Sequence, residues 1–321
     1  MADSFLATGG VASTTPLWVA FVVPVVTLLV LDLGLFLRSK EEPTFKESVA
    51  WTAVWAAVAG LFGLLLARTL GPGAGLSFFT AWVVEQALSV DNLFVFLIVF
   101  GELSVPGPAR KRALAWGVLG ALVLRVAMLV AGGAFLEHFH ALGWLLGGVL
   151  VFMGLRAANG LRKGKDEDEK SSNHAGIARV IGRFVPLGDR FDGERFFTRE
   201  GGRRSATPLL LAVVTILFAD IVFALDSIPA VLGVSVDPIV VIPSNVLAVL
   251  GLRSMFFVVQ GLLARLRYLP HGLAAVLVVV GTKMLLGAVI AIPTWLSLAS
   301  VLFVLAIAVV LSLRASSTAR V

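Results

Sequence analysis

Two segments decide how this chain is read: Glu85-Gln-Ala-Leu-Ser-Val-Asp91-Asn92 and Asp220-Ile-Val-Phe-Ala-Leu-Asp226-Ser227. Each has an acid, five residues, an aspartate, then a small amide or hydroxyl side chain. Each sits in an apolar run long enough to cross a bilayer core of about 30 Å. The markers downstream recur in the same order. A lone arginine stands in the next apolar run, Arg125 in one case and Arg253 in the other. A glycine and a cation follow in the run after that, Gly154-Leu-Arg156 and Gly281-Thr-Lys283. The recurrence predicts a duplicated three-helix unit, with copies over about 77–157 and 207–291. Three is odd, so the copies face opposite ways across the membrane, an architecture common among secondary transporters.

The rest of the chain agrees with a membrane setting. Of its 321 residues 58% are hydrophobic and only 14% are charged, which excludes an ordinary soluble enzyme. Apolar runs are expected to span at about 17–37, 48–70, 77–101, 113–135, 141–157, 207–231, 240–263, 271–291 and 294–313. They are too long and too continuous for barrel strands. The predicted fold class is therefore an all-α polytopic membrane protein of about nine transmembrane helices, a single domain over residues 1–321. The first run has no Lys or Arg before it and no small-residue cleavage site after it, so it is expected to be retained as a span.

Lys and Arg set the orientation. With nine spans, 22 of the 26 fall on one side, including the twelve between Arg156 and Arg204. The positive-inside rule then puts the N-terminus outside and the C-terminus in the cytoplasm of a cell or inner-membrane protein. The net charge of +6 reflects this bias and does not point to nucleic acid. The polar loop at about 158–206 is expected in the cytoplasm, as a solvated linker with some amphipathic helix around Arg195-Phe196-Phe197-Thr198-Arg199. Asp32 is expected at the cytoplasmic interface. Trp18, Trp51, Trp116, Trp144 and Trp295 read as interface anchors.

A charge deep in a span costs about 2.5–3.5 kcal/mol on insertion scales. Glu85, Asp91, Asp220 and Asp226 must therefore be paired, protonated or bound to a cation. Arg125, Arg253 and Lys283 are candidates for charge compensation, and four acids against three bases leave an acidic surplus. On a straight helix Glu85, Ser89 and Asn92 share one stripe, as do Asp220 and Ser227, while Asp91 and Asp226 lie about 120° away. A kink or local unwinding near Leu88–Asn92 and Leu225–Ser227 would bring each acid pair together. Pro229 favours one, because it leaves the Leu225 carbonyl without its donor.

The candidate metal ligands are Glu85, Asp91, Asn92, Asp220, Asp226 and Ser227. They are hard oxygen donors suited to Mn²⁺, Ca²⁺ or Mg²⁺. Soft-metal sites are disfavoured: the chain has no cysteine, and His138, His140, His174 and His271 lie in loops or at span ends. No nucleotide-binding loop or nucleophile–base constellation is present in the sequence. The expected activity is transport rather than catalysis, with no permanently bound cofactor, the cation as cargo and coupling most simply to protons.

The segments EQALSVDN (85–92), DIVFALDSIPA (220–230), PSNVLAVLGLRSMFF (243–257) and GTKML (281–285) resemble the TerC family, named for tellurium resistance. RFFTREGG (195–202) and ATPLL (206–210) are similar as well. The resemblance runs from about residue 16 to 314. It implies a multi-pass inner-membrane protein linked to Mn²⁺ efflux and metal homeostasis, or one acting near protein-translocation machinery in membrane-protein insertion or metal loading. The family's acidic positions map onto Glu85, Asp91, Asp220 and Asp226. One position departs: members often carry a further acid where this chain has Leu217.

Overall fold

A computed structural model of the chain describes residues 11–39, 41–131, 191–200, 203–263, 266, 268–286 and 294–318, with scattered positions between 147 and 158. The elements in order are α1 (Val11–Arg38), α2 (Phe45–Thr69), α3 (Pro72–Glu102), α4 (Gly107–Ala131), β1 (Phe197–Glu200), β2 (Arg203–Ala206), α5 (Pro208–Leu232), α6 (Pro238–Leu263), α7 (Leu269–Leu286) and α8 (Thr294–Thr318). Six of these helices, α1 to α6, are long and apolar enough to cross a membrane. Of the expected span at 141–157 only scattered positions from 147 onward are described, and the acidic run at 166–169 and His138, His140 and His174 lie outside the described residues.

Local chemistry fixes the helix starts. Thr44 and Glu47 form a capping box at α2: the Thr44 hydroxyl accepts from the Glu47 N–H at 3.3 Å, and the Glu47 carboxylate accepts from the Thr44 N–H at 2.7 Å. Gly71 turns the chain into α3 at φ 101°, a conformation that favours glycine, and Pro72 occupies the first helical position. Pro208 opens α5 in the same way.

Two expectations are corrected. Around Arg195–Arg199 the chain forms no amphipathic helix; it is a two-stranded antiparallel hairpin pairing Phe197 with Ala206 and Glu200 with Arg203. The hairpin docks on the start of α4, where Phe196 meets Trp116 edge-on and lies under the Arg112 guanidinium. Thr207 ties it to α5, donating from its N–H to the Phe196 carbonyl at 2.9 Å and from its hydroxyl to the Arg195 carbonyl at 2.7 Å. Second, α3 and α5 are not unwound at their acid motifs but run as continuous α-helices. Pro229 costs one hydrogen bond, that of its missing N–H to the Leu225 carbonyl, and its own carbonyl accepts from the Gly233 N–H at 2.9 Å.

α6 is the structural centre. It packs along α3, α2 and α4, and nearly every residue from Ile239 to Phe257 is buried. α1 instead turns Val19, Val22, Val26 and Val30 outward, as a lipid-facing helix does. α4 and α5 approach closely where Gly117 and Gly120 face Ile216 and Leu217.

The contacts come in matched sets. α3 lies along α6 as α5 lies along α4, and α3 also meets α5 as α4 meets α6. At finer grain, a Cβ on Gly154 would stand 2.8 Å from the Ala274 carbonyl and 3.0 Å from the Val278 N–H, and one on Gly281 would stand 2.7 Å from the Gly147 carbonyl and 2.8 Å from the Val151 N–H. Gly154 and Gly281, Gly147 and Ala274, and Val151 and Val278 share one sequence offset, so each contact is the image of the other.

Because both glycines meet backbone atoms and a stiff β-branched valine, Gly154→Leu and Gly281→Leu should each destabilise the protein by about 1–3 kcal/mol, and by similar amounts. Gly120→Ala meets only the movable tip of Leu217 and should cost less. Thermal unfolding in detergent checks the ranking; a larger loss from Gly120→Ala than from the other two would contradict it.

Candidate cation site

The stripe geometry of the sequence places Glu85, Ser89 and Asn92 on one face of α3 and Asp220 and Ser227 on one face of α5. All five side chains are buried, Glu85 completely. The two faces meet: the Asn92 amide donates to Asp220 Oδ1 across the helices at 3.1 Å, and the Ser89 hydroxyl donates to Glu85 Oε1 at 3.1 Å.

Arg125 of α4 closes the cluster. Its Nη1 pairs with Glu85 Oε1, and its Nη2 donates to Asp220 Oδ1 at 2.8 Å. One guanidinium thus bridges two carboxylates at equivalent positions in the two motifs. The three groups carry one net negative charge, away from water, where Coulomb attraction is strong and an unpaired charge is costly.

Four oxygens are left over. Glu85 Oε2, Asp220 Oδ2, Asn92 Oδ1 and Ser227 Oγ are buried without a hydrogen-bond partner among the described residues. Buried polar atoms in that condition call for an explanation, and an ion is one. Among the described residues no three His, Cys, Asp or Glu side chains group closely enough to hold a metal ion. Asp91 and Asp226 lie on α3 and α5, but their side chains are outside the described residues, so the described part supplies two carboxylates, one amide and one hydroxyl.

The other expected cations are placed differently. Among the described residues, Arg253 of α6 pairs with Asp32 of α1, and its guanidinium lies 4.0 Å from the centre of the Phe36 ring. This corrects the reading of Asp32 as interfacial. It is 2% exposed and also accepts from the Trp55 indole N–H at 3.4 Å. An aspartate so close to the charged end of its span can be buried because arginine and indole donors reach it from two neighbouring helices. Lys283 is half-buried on α7, and His271 is exposed beside Tyr268. Leu217 sits one turn from Asp220 on the side of α5 that faces Gly120 of α4.

Sequence reasoning missed the length of Arg125's reach and the burial of Lys111. Lys111 donates to the carbonyls of Ser39 and Glu41 at 2.6 and 2.9 Å, tying the end of α1 to α4. Its place in the cationic run 110–112 conceals that role.

Removing Arg125 leaves two buried carboxylates facing each other. Arg125→Gln should therefore destabilise the cation-free protein by about 3–5 kcal/mol. Ser227→Ala removes a hydroxyl with no partner and should cost less than about 1 kcal/mol, yet it should reduce the thermal stabilisation given by added Mn²⁺. Equal unfolding temperatures for the two variants would contradict this account.

The comparisons with known proteins agree on the kind of molecule. The family described as integral membrane protein TerC matches residues 70–320. A membrane protein of Myxococcus xanthus is 42% identical over 297 residues, 92% of each chain. Alx of Salmonella typhi, which carries the name of a membrane-bound redox modulator, is 38% identical over 309 residues, covering 93% of this chain and 94% of its own. The chloroplastic thylakoid membrane protein TERC of Arabidopsis thaliana is 38% identical over 255 residues, 79% of this chain and 65% of its own. No solved structure matches.

Proposed function

The chain belongs to the TerC family of integral membrane proteins, and from that premise we propose that it is a secondary transporter exporting Mn²⁺ or a similar hard divalent cation. The observation that carries this reading is the pair Glu85 and Asp220: two buried carboxylates from equivalent segments, each with one oxygen committed to Arg125 and the other without a partner. A structural ion pair has no use for spare oxygens in a dry interior. A divalent ion does, and the Asn92 carbonyl and Ser227 hydroxyl supply neutral oxygens of the same hardness. Asp91 and Asp226, six residues further along the same helices, add the charge that two carboxylates beside an arginine lack. Protons compete for the same oxygens, which gives the simplest coupling.

The architecture proposed with it is nine spans around two inverted three-helix repeats, with the N-terminus outside and the C-terminus in the cytoplasm. The matched helix pairings and the paired contacts of Gly154 and Gly281 support the repeat. Twofold-related motifs that meet at membrane depth are the usual setting of a transported ion.

The name borne by Alx raises a second reading, a redox function. This chain has no cysteine, so it has no thiol or disulfide of its own to exchange. A redox effect would follow indirectly, from altered metal supply. An accessory role in membrane-protein insertion or metal loading would centre on the 158–206 segment, and nothing in such a role needs the buried acids.

Purified protein in proteoliposomes should carry Mn²⁺ down an opposing pH gradient. Glu85→Gln, Asp91→Asn, Asp220→Asn and Asp226→Asn should each lower the rate at least about tenfold, because an amide keeps the shape and loses the compensating charge. Normal flux in all four would reduce these acids to structural partners. Leu217→Glu, placing an acid one turn from Asp220, should raise Mn²⁺ affinity or shift the preference among Mn²⁺, Ca²⁺ and Mg²⁺.

A further inference from the structure

The two arginines that mark the repeats do different things. Arg125 is engaged with both motif carboxylates, whereas its counterpart Arg253 is held by Asp32 and the Phe36 ring. Asp32 belongs to α1, which precedes both repeat units and has no counterpart in either. The asymmetry therefore comes from a helix outside the repeat.

The two arginines also stand at different distances from the cation-rich ends of their own helices. At 1.5 Å per residue, Arg125 lies about 27 Å from the Gly107 end of α4, and Arg253 about 15 Å from the Leu263 end of α6. Both ends belong to the cation-rich side, since Arg110–Arg112 and Arg265 adjoin them in sequence. Arg253 thus lies nearer the cation-rich end of its helix than Arg125 does of its own, and it faces Asp32 and Phe36 of α1.

The packing on the two sides differs to match. Beyond Arg125, Met128, Leu129, Ile228 and Val231 pack into one buried apolar cluster among the described residues. On the side of Arg253 a cavity of about 300 Å³ opens, lined by Asp32, Arg253, Ser254, Lys111, Glu41 and Glu47 among others. Arg253 itself is 5% exposed, and its Nη1 has no hydrogen-bond partner among the described residues. An unpartnered guanidinium nitrogen in a buried wall is held ready for an acceptor it does not have in this state.

We propose that Asp32 is the latch that keeps Arg253 off the buried carboxylates, and that Arg125 and Arg253 alternate as their counter-charge while the cation path opens first to the cytoplasm and then to the outside. This rests on the transport reading. Inverted repeats exchange conformations between the two open states, so the role Arg125 plays here passes to Arg253 in the other state. Asp32 biases the equilibrium by binding Arg253 in only one of the two states, which is the condition for any group to shift a population. Phe36 contributes to the same state, since its ring faces the guanidinium only while Arg253 is withdrawn.

The absence of native cysteine makes a direct test possible. Ser254→Cys reports on the cavity and Met128→Cys on the apolar cluster, each probed in full-length protein with a membrane-impermeant maleimide applied from either face. With Asp32 present, the thiol introduced at position 254 should react from the cytoplasm and the thiol at position 128 should be protected. Asp32→Asn should slow labelling at position 254 by about tenfold and speed it at position 128 by a similar factor. Adding Arg253→Gln to Asp32→Asn should restore the original pattern, since no guanidinium is left to move. Unchanged rates in Asp32→Asn, faster labelling at both sites, or a double variant that matches the single one would each overturn the latch. Mn²⁺ flux in the same vesicles separates the two claims. Flux with unmoved labelling overturns the latch and leaves transport standing, and a labelling switch in vesicles that carry no cation overturns the transport reading.

Discussion

The guanidinium of Arg125 holds Glu85 and Asp220 together in a place where neither carboxylate can be hydrated. Three helices must converge for that to happen, and the convergence explains much of the packing. α4 is drawn against α5 through glycines that face Ile216 and Leu217, and α3 is kept close enough for the Asn92 amide to reach Asp220. α6 fills the remaining side with a nearly continuous buried surface. One cation for two anions is also an unfinished balance. Oxygens of both carboxylates are left without a partner among the described residues, as the proposed transport site requires and a purely structural ion pair does not.

Most of the fold is legible in the sequence because a bilayer imposes so few solutions. Length and continuity of the apolar runs dictate helices, and the described helices fall on the expected spans, differing chiefly at their ends. The stripe rule correctly puts Glu85 with Ser89 and Asn92, since position on a helix face follows from residue spacing alone. What spacing does not give is partner choice. Asp32 reads as interfacial when depth is judged along its own helix, while its burial is decided by Arg253 and Trp55 on other helices. Pro229 suggests unwinding at the acid motif, but a single proline removes only one hydrogen bond, and the turn after it re-forms. The hairpin at 197–206 is hidden for a different reason: its arginines suggest a solvated surface, and the tight pairing of two four-residue strands leaves no long-range pattern to read.

The polar segment and the membrane core are joined at few points among the described residues, and these are informative. Thr207 caps the hairpin and precedes the proline that opens α5, the helix carrying Asp220 and Asp226. Lys111 fastens the end of α1, the helix carrying Asp32, to the start of α4, the helix carrying Arg125. The surface that carries the hairpin and the starts of α4 and α5 is thus coupled by short polar contacts to the helices that bear the buried charges.

The central claim is that a hard divalent cation binds at the carboxylates bridged by Arg125. X-ray diffraction from crystals grown with Mn²⁺, collected at the manganese absorption edge, tests it most directly. The account predicts an anomalous peak within coordination distance, about 2.1–2.4 Å, of oxygens from both Glu85 and Asp220, with Asn92 or Ser227 in the same shell. A manganese peak bound only elsewhere in the protein, with those two carboxylates still paired to Arg125 alone, would contradict it.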